Sequence, residues 1–295
     1  KVSEMAKKLK FPLQCIGIPK TVDNDLPFTD CSPGFGSVAK YVATSTLEAG
    51  LDVKSMAETS TKVFILEVMG RHAGWIAAAS CLAATEAGDP PHIILLPEVP
   101  FEKGKFISQV KQTIKNNGYC VIVASEGTQT KNGKFLADSG LTDAFGHKQL
   151  GGVAPVLASM ISKIGLKNHW AVADYLQRSA RHVASKTDLD QAYAVGKHAV
   201  KLAISGETAV MPIIKRISNT PYKWKIETAP LKNIANVEKT MPKKFISNNG
   251  FEITSSGKRY LSPLIVGEAP CFYKNGIPDV ASLKKYLVKK KLKSF

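Results

Sequence analysis

The sequence predicts an α/β protein in which parallel sheets are flanked by helices and arranged in two lobes. Three observations lead there. Short apolar runs with polar tips alternate with segments of helical period, at 11–18 and 38–50, again at 62–68 and 75–84, and twice more between 91 and 164. Parallel strands need such crossovers, because the end of one strand lies at the opposite edge from the start of the next. Asp23, Arg71, Glu98 and Glu126 each stand just beyond one of these runs, at the carboxyl ends where open parallel sheets gather their chemistry. Finally, 295 residues, 44% hydrophobic and 22% charged, suffice to close a substantial core, as one large or two smaller domains.

Taken in order, KVSEMAKKLK at 1–10 reads as the second half of a helix running into a first strand at 11–18. A chain that starts in this way, without methionine, is expected to be a fragment, a processed product, or one that works with an upstream segment or a partner chain. Gly17 and Pro19 stop the strand. Turn residues fill 29–36; Val38, Tyr41, Val42 and Ser45 then recur at helical spacing up to Gly50, the expected stop, and 51–60 continues that helix or opens another. The strand at 62–68 ends in Met69-Gly70-Arg71, and the alanine-rich stretch 75–84 makes a helix that packs closely. Pro97-Glu98 closes a strand at 91–96 ahead of a helix at 106–116, and Ser125-Glu126-Gly127 closes another at 120–124.

Residues 128–150 are polar and glycine-rich, a loop or small excursion. A helix at 151–164 carries Pro155 in its first turns, and a strand at 167–176 is interrupted by Asp174. The helix at 189–204 has Ala192, Val195, Ala199, Val200 and Ala203 on its stripe. Strands at 209–214 and 222–228 suit an antiparallel pair, and 279–293 suits a basic helix whose apolar face is Leu283, Tyr286 and Leu287. The expected divisions are a first lobe over 1–109, a second over 110–212 sharing its cleft, and a basic extension over 213–295 that completes or packs on them.

The stretch that concentrates chemistry is GIPKTVDNDL at 17–26. Lys20 is a flexible point charge suited to an anion, and Thr21 has a hydroxyl that can donate to a phosphate oxygen. Asp23 and Asp25 crowd one site as anions only at a cost, so a hydroxyl or a cation fits between them. The same residues also suit a plain turn, with Asp and Asn bonding the local backbone ahead of a surface helix.

This stretch also resembles the catalytic signature of the phosphofructokinases, with the lysine before the threonine resembling their pyrophosphate-dependent branch. Four further matches follow in family order: EVMGRHAGW at 67–75, LLPEVPF at 95–101, ASEG at 124–127 and DYLQR at 174–178. The resemblance implies a phosphofructokinase-like fold and reversible phosphoryl transfer from pyrophosphate to the 1-hydroxyl of fructose 6-phosphate, with Mg2+ near the donor. It implies Asp23 as the base, assisted near donor and metal by Asp25, with Lys20, Thr21 and Arg71 in the catalytic set. It implies sugar-phosphate contacts from Met69, Gly70, Arg71, Glu126 and Arg178. Tyr175 stands where ATP-dependent relatives of the bacterial type carry histidine, and Lys62 matches an arginine that reaches across from a neighbouring subunit of a dimer or tetramer. The family's glycine-rich donor loops have no counterpart in the sequence, so the metal's protein ligand is expected upstream.

Charge and cysteine usage narrow the alternatives. Of the net +16, most lies after residue 212, where seventeen Lys and Arg face five Asp and Glu; this suits a solvated surface or an anionic ligand. No zinc-finger spacing or aromatic–basic interleaving supports nucleic-acid recognition. No run of eighteen apolar residues predicts a membrane span. Cys15, Cys31, Cys81, Cys120 and Cys271 show no metal-ligand spacing and suit a reducing, cytosolic setting. An ATP-dependent kinase and a non-catalytic phosphosugar-binding subunit are the remaining alternatives.

Overall fold

In a computed structural model, residues 1–142, 148–150, 152–287 and 289–290 are described. The chain opens with α1 (Val2–Lys8) and the long α2 (Phe35–Met56), followed by β1 (Val63–Val68) and α3 (Trp75–Ala79). Next come β2 (Ile93–Leu95), α4 (Lys103–Asn117) and β3 (Cys120–Ser125), then β4 (Asp138–Thr142) and β5 (Lys148–Leu150). Then α5 (Val153–Ser162), β6 (Asn168–Val172), the single turn α6 (Leu176–Ser179) and α7 (Lys186–Ile204) lead to β7 (Val210–Asn219) and β8 (Tyr222–Pro230). Last are α8 (Ser255–Leu261) and a minimal hairpin of β9 (Tyr273–Lys274) and β10 (Ile277–Pro278).

Four strands form one sheet in the order β2-β3-β1-β6, and every pairing in it is parallel. Alternate side chains leave a strand on opposite faces, and each face here has its own core. Leu66, Val68, Ile94 and Val123 pack with Phe35, Val38 and Val42 of α2 and with Trp75 and Ile76 of α3. Val63, Ile65, Ile93, Leu95, Ile122 and Ala124 pack with Phe106 and Val110 of α4 and Leu157 and Ile161 of α5. Covered on both faces, these strands read as unbroken apolar runs, and that is why 62–68, 91–96 and 120–124 were recognisable.

β7 and β8 make a separate antiparallel ribbon, in register from Val210–Pro230 to Asn219–Tyr222 with a shift between Arg216 and Ser218. Ile16 touches this ribbon through a parallel bridge to Val210, backed by the Gly17 N–H donating to the Val210 carbonyl at 2.8 Å. That contact is what remains of the strand expected at 11–18: Phe11, Leu13 and Ile18 are 62, 44 and 55% exposed, and no ladder forms.

Several other expectations change. Gly50 does not stop the helix, which runs on to Met56; the residue is buried where a Cβ would lie 2.5 Å from Pro90 Cγ, so glycine serves close packing instead. The buried side of α7 is Asp188, Gln191, Val195 and Ala199; Val195 and Ala199 belong to the expected stripe, whereas Ala192 and Val200 face outward and Ala203 is half-buried. Residues 138–142 and 148–150 pair as a hairpin inside the expected loop, while 143–147 and 151 lie outside the described residues. The expected basic helix is absent among the described residues of 279–290, where Leu283, Tyr286 and Leu287 are 86, 82 and 99% exposed; its remaining residues lie outside that set. The division at 109/110 is not a structural boundary, because strands from both sides of it share one sheet.

Candidate active site

The carboxyl ends of β1, β3 and β6 are stitched together by the residues that follow them. After β1 the chain turns sharply at Gly70, whose φ of 128° favours glycine. There the Gly70 N–H donates to Glu126 Oε1 at 3.3 Å, and Ser125 Oγ donates to the Gly70 carbonyl at 2.5 Å. Gly127 permits the approach, since a Cβ on it would sit 2.0 Å from the Arg71 carbonyl oxygen. From beyond β6, Gln177 Oε1 accepts the Met69 N–H at 3.3 Å while its amide donates to the Asp174 carbonyl. Glu98, after β2, takes the Gly74 N–H at 3.0 Å and the Met241 N–H at 2.9 Å. It therefore fixes the start of α3, where a carboxylate also complements the helix dipole.

Opposite these strand ends lies the loop at 20–26. The Asp23 N–H donates to Thr21 Oγ1 at 3.1 Å, closing a small turn that turns Asp23 toward the strand tips. Loss of hydration pushes the Asp23 carboxyl up to about 6, and the negative charges of Asp25 and Glu126 push the same way. Lys20 and Arg71 pull against them. Glu126 is also raised, by burial first, with Arg71 and the Gly70 N–H offsetting part of it. Asp23 thus feels two carboxylates and two cations at once, and Arg71 acts on both Asp23 and Glu126. A carboxylate poised near neutral pH beside two cations is suited to taking a proton from an alcohol while the cations offset developing negative charge.

The expected site residues divide into four groups. Lys20, Asp23, Asp25, Arg71 and Glu126 converge electrostatically, with Met69 and Gly70 forming the backbone of the turn they share. Thr21 uses its hydroxyl as an acceptor within its own loop. Tyr175 and Arg178 lie beyond β6, with the Arg178 guanidinium carbon 4.3 Å from the centre of the Tyr175 ring; both are exposed. Lys62 stands at the other end of β1 from the cluster, its ammonium donating to the Ala57 carbonyl at 2.7 Å. It contributes nothing to the site of its own chain, and here it satisfies an orphan carbonyl at the end of α2.

Some residues of the site escaped the sequence reading. Asn24 is fully buried with φ 57°; its Oδ1 accepts from the Ser32 N–H at 3.0 Å and from Lys239 Nζ at 3.3 Å, and its amide donates to the Tyr260 hydroxyl at 3.3 Å. Asp30 receives Arg216 Nε at 2.9 Å, and Arg216 stacks between the Tyr222 and Tyr260 rings. Apart from Asn24, inside the signature itself, no motif marks them; their partners lie some two hundred residues away.

A parallel sheet with a raised carboxylate and two cations beyond its strand ends defines an α/β protein equipped for proton transfer beside a charge-bearing group, and comparison with known proteins gives the class a name. A phosphofructokinase family model matches residues 1–203, and the chain belongs to that family. Within it, the chain falls in the pyrophosphate-dependent branch. It is 62% identical over 296 residues to the pyrophosphate–fructose 6-phosphate 1-phosphotransferase of Halomonas elongata, covering 100% of this chain and 71% of that protein. The crystal structure of a pyrophosphate-dependent phosphofructokinase from Marinobacter aquaeolei is 57% identical and superposes with a TM-score of 0.90 over 99% of this chain and 70% of that one. Its counterpart from Nitrosospira multiformis is 55% identical with a TM-score of 0.92, over 100% and 71%.

Proposed function

We propose that the chain performs reversible transfer of a phosphoryl group from pyrophosphate to the 1-hydroxyl of fructose 6-phosphate, giving fructose 1,6-bisphosphate. The observation that carries this reading is the convergence of Asp23 and Asp25 with Lys20, Arg71 and Glu126 at the carboxyl ends of the sheet, in a chain whose similar proteins bear that activity in their names. Asp23 takes the proton of the attacking hydroxyl. Lys20 and Arg71 offset the charge that spreads over the transferring group. Glu126, anchored by the Gly70 N–H, accepts hydrogen bonds from sugar hydroxyls, and Arg178, beyond β6, holds the 6-phosphate with Tyr175 beside it. Lys62, remote from its own cluster, serves the site of a neighbouring subunit in a homo-oligomer.

No group of three or more His, Cys, Asp or Glu side chains gathers into a metal-holding cluster among the described residues. Magnesium would come in on the pyrophosphate oxygens, with Asp25 assisting near it and its protein ligand expected upstream of the signature. A two-lobed arrangement suits this reading, with the β7–β8 ribbon, to which Ile16 is tied at Val210, forming a sheet apart from the main one. The test is a turnover assay of the protein with fructose 6-phosphate and either magnesium pyrophosphate or magnesium ATP. Turnover with pyrophosphate and little with ATP is expected; preference for ATP refutes the donor assignment, and sugar-phosphate binding without turnover refutes the enzyme reading.

A further inference from the structure

Lys239 lies outside the stretch matched by the family model and belongs to the region that composition marks only as basic. Its three ammonium protons have three acceptors: Asp30 O at 2.9 Å, Thr29 O at 3.1 Å and Asn24 Oδ1 at 3.3 Å. An ammonium carries three donors and no acceptor, so this is a complete set. The Lys239 backbone N–H donates to the Asp25 carbonyl at 2.6 Å, and the Lys239 carbonyl accepts Trp75 Nε1 at 2.9 Å. The ammonium also lies 5.3 Å from the centre of the Trp75 ring, within cation–π reach. Two residues on, the Met241 N–H is held by Glu98.

Residues 239–241 therefore join the signature loop to the strand ends by bonds on both sides. On the loop side they hold Asn24, Asp25 and the 29–30 backbone, and on the strand side Trp75 of α3 and Glu98. Asp23 touches Lys239 in none of these bonds, yet it is flanked by the residue whose side chain Lys239 grips and lies two before the one whose carbonyl it holds.

We infer that Lys239 is a positioning residue for phosphoryl transfer, fixing the Asn24–Asp25 peptide so that Asp23 and Asp25 face Arg71 and Glu126 at the distance the reaction needs. The inference rests on the functional reading above for its kinetic consequence, though the clamp itself is a matter of structure. Loss of hydration lowers the ammonium to about 8, with Asp30 and Asp25 pulling it back up, in keeping with a lysine enclosed for its bonds and not offered to solvent.

The test is Lys239→Met in the complete protein, which keeps length and apolar contact while deleting all three donors. With pyrophosphate, kcat should fall about 10²-fold, while the dissociation constant for fructose 6-phosphate, measured by calorimetry, stays within about threefold; a merely structural role would move both or neither. Wild-type kcat in the folded variant overturns the inference, as does a fall in sugar-phosphate affinity that matches the fall in kcat. Should Lys239→Met fail to fold, Lys239→Arg keeps the charge but not the compact three-way donor, and the same split is expected; equal kcat again overturns it. If the wild-type protein shows no pyrophosphate-dependent turnover, the functional reading fails separately. The clamp is then decided by hydrogen exchange at the Asn24 and Asp25 amides, expected to rise at least tenfold in the variant, with unchanged exchange overturning the inference.

Discussion

Asp23 shows how a single residue trades stability for chemistry. Its carboxyl is raised to about 6, so the folded protein holds that proton more tightly than the unfolded chain does. Ionising it above about pH 6 therefore costs stability, and the cost is absent below the unfolded value near 4. Asp23→Asn removes both the charge and the base. Turnover should drop roughly 10²-fold or more, while stability at pH 7 should rise by about 1–2 kcal/mol; denaturant unfolding beside steady-state kinetics checks both, and a variant that keeps its rate removes Asp23 as base. Lys20 is the exposed cation across from it. Pyrophosphate has no adenosine to bind, so its phosphates must supply the affinity, and a nearby ammonium assists them. Lys20→Gly should raise the apparent KM for pyrophosphate and lower kcat by about tenfold or more between them, and wild-type values for both would transfer the donor role to other groups.

The elements were legible where side-chain burial followed a simple period. β1, β2 and β3 announced themselves because both faces of the sheet are covered. α7 was legible only in Val195 and Ala199, because the rest of its inner face is polar: Asp188 accepts the Gly34 N–H at 2.8 Å and the Ser37 N–H at 3.0 Å at the start of α2, and Gln191 bonds the Tyr222 hydroxyl. No hydropathy pattern marks a buried carboxylate that caps a distant helix. Gly50 misled because a glycine demanded by Pro90 looks the same in sequence as one that ends a helix. The signature loop was found by motif, whereas its anchors, Lys239 and Arg216, carried no signal of their own. At this scale Gly127 offers a sharp test. A methyl group there would meet the Arg71 carbonyl at 2.0 Å, so the turns after β1 and β3 would have to part. Gly127→Ala should cost about 2–3 kcal/mol of stability and misplace Arg71 and Glu126 together; a melting temperature and a rate both close to wild type would show that the turns adapt.

Taken as a whole, the molecule is strongly basic, with a net charge of +16, while Asp23 sits within reach of the negative charges of Asp25 and Glu126. A positive net charge of this size is expected to draw anionic substrates in at long range, whereas the carboxylates act only at contact. Long-range attraction is screened over about 8 Å at physiological ionic strength, so kcat/KM for pyrophosphate should fall severalfold between roughly 20 and 200 mM salt while kcat changes little. A salt-independent kcat/KM would mean that the basic surface plays no part in capture.

The bonds that fix the signature loop also impose an order of events on biosynthesis. Asn24 waits for Lys239, which is 215 positions further along the chain, and for Tyr260, 236 positions along; Thr29 accepts into its hydroxyl the N–H of Ile214, 185 positions along. Ribosomes add on the order of 5–20 residues per second, so the loop emerges roughly 10–40 s before its clamp. During that interval the nascent chain presents the catalytic motif without its catalytic shape, and pulse-labelled chains arrested before residue 239 should leave the loop open to proteolysis, whereas chains extended past Tyr260 should protect it. Competence for the reaction is thus withheld until residues 239–260 have been made, and a product that stops short of them carries the catalytic motif without the bonds that shape it.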